Sequence, residues 1–439
     1  MHTLEQLKTG QLVGVQRLRL SCELTTFPIQ IFDLADTLEI LDLSNNHLSH
    51  LPDDFKRLQK LKIAFFANNQ FTELPAVLSQ CPHIEIASFK SNCISTIPEH
   101  FFSPTLRWLI LTNNRITTIP STIGQCTRLQ KLMLAGNLLS QLPASMTQCT
   151  NLELLRLSAN QFVSLPSWLY RLPKLAWLAF SSNSCCKKME PSSDLVEIPC
   201  NQLTVTEQLG EGASGVISKA LWKHDSIQQV VAVKIFRGQM TSDGLPEDEM
   251  NSCMAAGTHE NLVKLLGRTT DDSTQERSGL VFELVPASFK VLGNPPSFET
   301  CTRDIYPPET TFTLSQVIQI VSGIASAMSH LHGRGIMHGD LYAHNILVDA
   351  TSVLLSDYGA ATAYRKEDSN DAAVIERVEV RAFGCLMEDL LDRVNRNETN
   401  EALKRTLNVL KEDCMRLEVL ERPTFKDICK RIAHFQSST

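Results

Sequence analysis

The sequence predicts an α/β chain in two parts, a repeat solenoid followed by a separate α+β domain. Three observations predict it. Leucine or isoleucine opens a unit every 23 residues, with one step of 22, from Leu38 through Leu61, Ile84, Leu106, Leu129 and Leu152 to Leu175. That rhythm stops after Asn183. Beyond Asn201 a glycine-rich turn and a β-branched strand carrying one lysine take over. A chain of 439 residues also exceeds one ordinary core, so more than one domain is expected.

In the first part each unit keeps one order of residues. LEILDLSNNHLSHLP, from Leu38 to Pro52, aligns with LRWLILTNNRITTIP, from Leu106 to Pro120. Asparagine returns at one offset, as Asn46, Asn69, Asn92, Asn114, Asn137, Asn160 and Asn183. The leucines can stack into a continuous core, because a single unit cannot bury its apolar face alone. The asparagine side chain can pair backbone groups left open where a strand turns away. The proline after each leucine stiffens the outer segment. These residues read as structural. A less regular unit runs from Val15 to Pro28, and the first dozen residues read as a helical cap.

This pattern resembles the leucine-rich-repeat family over about residues 15 to 183. The expected division is residues 1–183 for the repeats with their cap, 184–200 for a linker, and 201–439 for the second domain. Positions alternating with the core residues line the concave face. Phe65, Trp108 and Trp177 stand out there as anchors for a protein partner. The other reading is that another part of this chain covers them.

The second part opens with a strand predicted over Leu203–Leu209, followed by LGEGASGVI. Gly210, Gly212 and Gly215 have the spacing at which a backbone hairpin closes over phosphates. VVAVKIF then places Lys234 in an apolar strand, where an isolated charge needs an anionic partner. These parts resemble the start of the eukaryotic-type protein kinase family. The resemblance covers about residues 201 to 435 and implies a two-lobed α+β domain that binds ATP and Mg²⁺.

It further implies a role for named residues. Lys234 would hold phosphates and pair with Glu249 on a helix, Glu247 being the reserve candidate. Phe282 matches the gatekeeper before a hinge that includes Glu283. Ile217, Ala232 and Val285 fall in the expected adenine pocket, with Leu347 as its floor. A long apolar helix, LSQVIQIVSGIASAMSHLH, leads to IMHGDLYAHNILVD. There Asp340 matches the catalytic aspartate and Asn345 a Mg²⁺ ligand. LLSDYGAA supplies Asp357, matching the second ligand. The chemistry suits the residue types, since hard Mg²⁺ takes oxygen ligands and lysine neutralises remaining phosphate charge. Glu379 stands where the family usually carries aspartate, and Arg422 is expected to pair with a glutamate, of which Glu376 is the placed candidate.

The sequence departs from the family at four points. Gly339 replaces the arginine before the catalytic aspartate, which puts control by loop phosphorylation in doubt. Tyr342 stands where serine/threonine kinases commonly have lysine. His344 occupies a position at which many tyrosine kinases carry arginine; it can help neutralise a transferring phosphoryl group as a donor or when protonated. No Ala-Pro-Glu closes the stretch from Asp357 to Glu376. The stretch from Ala287 to Thr311 reads as an irregular surface excursion without a function.

The expected function is protein phosphorylation, on serine or threonine in preference to tyrosine. One alternative is a catalytically silent scaffold. Another is a small-molecule phosphotransferase, suggested by His338-Gly339-Asp340. A net charge of −7 without a long basic run argues against a nucleic-acid partner. No window approaches the roughly 18 apolar residues of a membrane span, and the start lacks a secretory pattern. The thirteen cysteines are scattered and odd in number, as expected for small apolar residues in a reducing, cytoplasmic setting. Cys185 and Cys186 adjoin, but no ligand spacing accompanies them.

Overall fold

A computed structural model describes residues 2–187, 195–212, 214–224, 227–237, 240–270, 279–366 and 370–437. The chain divides into two compact units. The first comprises Met1–Leu175 and Asn183–Cys185; the second comprises Ala176–Ser182 and Cys186–Thr439.

The first unit starts with a short helix, α1 (Leu4–Lys8), closed by a capping box between Thr3 and Gln6. Seven three-residue strands follow: β1 (Arg17–Arg19), β2 (Ile40–Asp42), β3 (Ile63–Phe65), β4 (Ile86–Ser88), β5 (Trp108–Ile110), β6 (Lys131–Met133) and β7 (Leu154–Arg156). Neighbours pair in parallel, in register. The middle residue of every strand, from Leu18 to Leu155, is buried. The return segments contain 3₁₀ turns, five of which begin directly after Pro28, Pro52, Pro75, Pro120 or Pro143. Proline fits this N-cap position because its missing amide hydrogen would have no partner there.

The asparagine ladder is explicit. Asn114 Oδ1 accepts from Ile94 N at 3.0 Å, and its amide donates to Phe89 O and Leu111 O at 2.9 and 3.0 Å. Asn46, Asn69, Asn92, Asn137, Asn160 and Asn183 make the same kind of bridge to the preceding coil. The residue just before each asparagine has left-handed backbone: Asn45, Asn68, Ser91, Asn113, Gly136, Ala159 and Ser182. Three buried cysteines add a second ladder. The thiols of Cys81, Cys126 and Cys149 point to carbonyls of the preceding coil, those of Phe55, Ser103 and Ile123. Burial pushes Cys81 and Cys126 up to about 12 and Cys149 up to about 11. Phe55, Phe66, Phe71 and Phe89 form a chain of ring contacts through the core.

The second unit contains β8 (Trp177–Ala179) and a six-stranded sheet. Its strands are β9 (Val196–Pro199), β10 (Leu203–Glu211), β11 (Gly215–His224), β12 (Ile227–Phe236), β13 (Leu265–Thr270) and β14 (Gly279–Glu283), in the order β10-β11-β12-β14-β13-β9. Thus residues 196–199, expected in a linker, form a strand parallel to β13, and Ile198 is wholly buried with Ala220, Val231, Val233 and Val281. Helix α2 (Pro246–Ala256) begins with proline in its first turn and ends at Gly257, whose φ is +68°.

The rest of this unit is mainly helical: α3 (Leu314–Gly333), α4 (Asn370–Leu391), α5 (Glu401–Cys414) and α6 (Phe425–Ser437). Thr313 and Gln316 form a capping box at the start of α3. Small ladders join β15 (Lys290–Val291), β17 (Ile346–Val348) and β18 (Val353–Leu355), and pair β16 (Ile336–Met337) with β19 (Thr362–Ala363). No helix among the described residues is long and apolar enough to cross a membrane.

Trp177 corrects one expectation. It is 2% exposed and lies in the second unit, packed against Leu341 and Tyr342, so it is not an open anchor for a partner. Phe65 and Trp108 remain half-buried, and the Lys131 ammonium sits 4.2 Å from the Trp108 ring centre.

Two stability predictions follow from the repeat geometry. Asn114→Ala removes the side-chain acceptor of Ile94 N and one of two asparagine donors from Phe89 O and Leu111 O, so it should lower unfolding free energy by about 1–3 kcal/mol in denaturant titration. Ala159→Gly removes left-handed strain that outweighs the chain entropy glycine costs, raising stability by about 0.5–1 kcal/mol in the same assay.

Candidate active site

The hairpin of β10 and β11 carries the three glycines. A Cβ on Gly215 would lie 2.2 Å from the carbonyl oxygen of Ile235, so strand packing alone demands glycine there. Nothing lies within 4 Å of a Cβ built on Gly210 or Gly212. Packing does not explain those two. Their bare backbone leaves space for close approach by a ligand.

Strand register assembles a second group. Ile217 faces Lys234 across β11 and β12, and Ala232 faces Phe282 across β12 and β14. Because side chains alternate along a strand, Ile217, Ala232, Lys234 and Phe282 share one face of the sheet. The opposite face is the buried cluster around Val231 and Val233. Glu283 follows that opposite alternation, and its carboxylate pairs with Lys264 at 3.1 Å. A nucleotide on the Lys234 face would therefore meet Glu283 through main chain, not through its carboxylate. Val285 and Leu347 are half-buried, Leu347 lying in β17.

Lys234 forms a buried ion pair with Glu249 of α2, while Glu247 is exposed. A Cβ on Gly359 would sit 3.1 Å from Asp357 Oδ1 and 3.8 Å from Glu249 Oε2, so both carboxylates flank the same glycine. Burial opposes the charge of Lys234, but Asp357 and Glu249 hold its pKa above the usual value. Burial, with Asp357 nearby, pushes the carboxyl of Glu249 up. Glu249 contacts the ammonium directly, and Asp357 acts on it through its field. Asp357 itself has φ +58°, a conformation that aspartate tolerates better than most residues, and its Oδ1 accepts from Gly359 N at 3.0 Å.

The segment after β16 is pinned from below. Glu379 of α4 is wholly buried; Oε2 accepts from His338 N at 3.1 Å and Oε1 from Gly339 N. The imidazole of His332 on α3 bonds Oε2 at 2.8 Å. His338 Nε2 faces the carbonyl of Ser356 at 3.0 Å, and Asp340 N donates to its Nδ1 at 3.3 Å. Nδ1 thus serves as an acceptor, and Nε2 is the ring nitrogen turned to the carbonyl. Asn345 Nδ2 donates to the backbone oxygen of Asp340 at 3.0 Å and to its Oδ2 at 2.9 Å. With the nitrogen committed to Asp340, the amide oxygen of Asn345 is the atom suited to a metal. Asn345 and Asp357 are oxygen donors, which fits Mg²⁺.

The stretch from Ala287 to Thr311 has a role that sequence reading missed. Asp304, 5% exposed, accepts from His344 N at 2.9 Å and from His344 Nδ1 at 2.8 Å. Neighbouring Arg303 pairs with Glu388 and Asp389 of α4 at 2.7 and 2.6 Å, anchoring this stretch. Burial works against the charge of His344, but the Asp304 bond and the fields of Asp340, Asp304 and Asp357 hold its pKa above the usual imidazole value. An acidic residue in a proline-rich excursion gives no spacing signal, so only the fold reveals Asp304. Farther away, Arg422 donates to the carbonyls of Arg416 and Arg377, and Glu376 accepts from Phe425 N at 2.7 Å.

Comparison with known proteins agrees with both halves of this description. Residues 203–384 match the profile of the protein tyrosine and serine/threonine kinase family. Residues 37–58 and 104–162 match leucine-rich-repeat profiles. The chain is 24% identical over 305 residues to fibroblast growth factor receptor 1 of Pleurodeles waltl, covering 57% of this chain and 36% of that receptor. This chain therefore spans little more than a third of that relative's length. A solved leucine-rich-repeat protein of Leptospira interrogans is 30% identical, with 42% of this chain and 47% of that one covered at a TM-score of 0.38.

The glycines should separate experimentally. Gly215→Ala forces β11 away from Ile235 and should lower the melting temperature, whereas Gly212→Ala should leave it within error. Thermal scans of the two variants without nucleotide check this.

Proposed function

We propose that this chain, in which leucine-rich repeats are joined to a protein kinase domain, transfers the γ-phosphoryl group of ATP to hydroxyls of protein substrates. The observation that carries the proposal is the cluster of Lys234, Glu249 and Asp357, built from a strand, a helix and a loop distant in sequence. A sheet with only a structural role gains little from a buried ammonium paired with one carboxylate and set in the field of a second.

Each residue then has a task. Gly210 and Gly212, with open space where a side chain would stand, leave room for phosphate oxygens against the β10–β11 hairpin. Ile217, Ala232, Phe282, Val285 and Leu347 give apolar contact to the base. Lys234, oriented by Glu249, neutralises phosphate charge, and Asn345 and Asp357 would hold Mg²⁺. When bound, Mg²⁺ would supply partial neutralisation of the charge on the phosphoryl group transferred from ATP. Asp340, fixed by Asn345, orients the acceptor hydroxyl and takes its proton. His344, tied to Asp304, adds positive charge or a donated hydrogen bond beside Asp340.

The acceptor is serine or threonine in preference to tyrosine, because histidine stands where arginine is common in tyrosine-specific members. The repeats bind a protein partner through Phe65 and Trp108 on the strand face. The setting is cytoplasmic: thirteen free thiols, seven of them buried, support a reducing compartment.

Phosphate incorporation from labelled ATP·Mg²⁺ into the chain itself and into generic protein substrates tests the proposal. Asp340→Ala should lower incorporation by about 10²–10⁴-fold. The same variant should keep its protection by ATP·Mg²⁺ against unfolding, ~2.7 kcal/mol at 100 times the dissociation constant. ATP protection without incorporation in the unaltered chain would favour a silent scaffold. Incorporation confined to small-molecule hydroxyls would replace protein as the acceptor.

A further inference from the structure

The residues that set this catalytic segment apart from its family converge on one short stretch of the second unit. Trp177 Nε1 donates to the carbonyl of Leu341 at 3.0 Å, one residue beyond Asp340. Its ring stacks on Tyr342, with centroids 4.4 Å apart and planes 4° from parallel. Tyr342 in turn stacks on His344 at 5.0 Å, and His344 is held by Asp304. Gly339 has φ +75°, and a Cβ there would lie 2.8 Å from the carbonyl oxygen of Leu178 and 2.5 Å from that of Ala360. A side chain at 339 is thus excluded by backbone on two sides.

The same stretch reaches the other parts of the site. Phe180 N donates to Thr362 Oγ1 at 3.1 Å, beyond the Asp357-Tyr358-Gly359 turn. Ser182 Oγ donates to Asp248 Oδ1 at 2.8 Å, on α2 and next to Glu249. Three residues within this stretch of seven, Trp177, Phe180 and Ser182, therefore bond in turn to the segment holding Asp340, to the segment after Asp357, and to the helix holding Glu249. These bonds coexist with the Lys234–Glu249 pair and the Asn345–Asp340 bond. A brake would be expected to break one of those two. The partner atoms named here, Leu341 O, Thr362 Oγ1 and Asp248 Oδ1, are not those of the Lys234 ammonium or of the Glu249, Asp340 or Asp357 carboxylates.

We infer that residues 176–182 are an internal clamp that sets the working geometry of the site, with Trp177 as the positioning residue for Asp340. The clamp acts through the backbone of Leu341 and the ring of Tyr342. Gly339 is the cleft that lets the clamp lie flat. The inference rests on the phosphotransfer reading above for its effect on rate, and on geometry alone for its effect on loop order.

The test compares the intact chain with Trp177→Ala and Trp177→Phe, in full length. Misplacing a catalytic group by an ångström lowers rates by up to about 100-fold, so Trp177→Ala should lower kcat by roughly 10- to 100-fold with little change in KM for ATP. Trp177→Phe keeps the stack but loses the hydrogen bond to Leu341, and should fall in between. Amide hydrogen exchange over residues 340–345 should quicken in Trp177→Ala, with or without nucleotide. A rise in kcat would show a brake and overturn the clamp. Unchanged kcat would also overturn it. If Trp177→Ala does not fold, Trp177→Phe and Ser182→Ala carry the test, and wild-type kcat in both overturns the proposal. An intact chain without any phosphate transfer would sink the phosphotransfer reading instead. The clamp is then judged by exchange, and unchanged protection at residues 340–345 in the Trp177 variants refutes it.

Discussion

The carboxylate of Glu379 is the tie on which the site is built. It is buried on α4 and takes two consecutive backbone amides, those of His338 and Gly339, together with the ring of His332 from α3. A buried anion of this kind is tolerable only when hydrogen-bonded on both oxygens. Because both amides belong to the stem of the Asp340 segment, that stem cannot rotate without abandoning a buried charge. Everything above it inherits this fixed base: Asp340 receives Asn345, and His338 carries the order onward to Ser356 and the turn of Asp357.

Where sequence reading succeeded, a local rule was repeated or several rules agreed. The 23-residue spacing exposes the solenoid because each coil must satisfy its neighbour through the same asparagine. The order of Gly210, Lys234, Asp340 and Asp357 exposes the second domain because four motifs in one order resemble a single family, whose profile residues 203–384 match. Sequence reading puts Glu249 ahead of Glu247 as the partner of Lys234, and the helix in place bears this out, burying Glu249 against the ammonium while Glu247 faces solvent.

What stayed hidden depends on contacts between residues far apart in sequence. Asp304 lies 40 positions before His344, and Trp177 lies 164 before Leu341. No periodicity links such pairs. Trp177 sits at a position that alternation alone assigns to an open strand face, and only tertiary packing turns it into a buried donor. Gly339 illustrates the reverse case. Its identity was visible as a departure, but its cause, carbonyls of Ala360 and Leu178 pressed against the Cα, was not. Ala159 was invisible for a third reason: a left-handed backbone angle leaves no trace when alanine, not asparagine or glycine, occupies the position.

The ladder of Cys81, Cys126 and Cys149 has a consequence for how the solenoid can be observed. Each thiol is closed inside its coil, points to the coil before it, and has its pKa pushed still further above neutral by burial. A thiol in that state reacts with an alkylating reagent only while its coil is open. The three side chains therefore act as clocks at successive heights of the stack, Cys126 and Cys149 ticking in adjacent coils. Their relative labelling rates would distinguish a solenoid that frays from an end from one that opens as a single body, without any label being introduced.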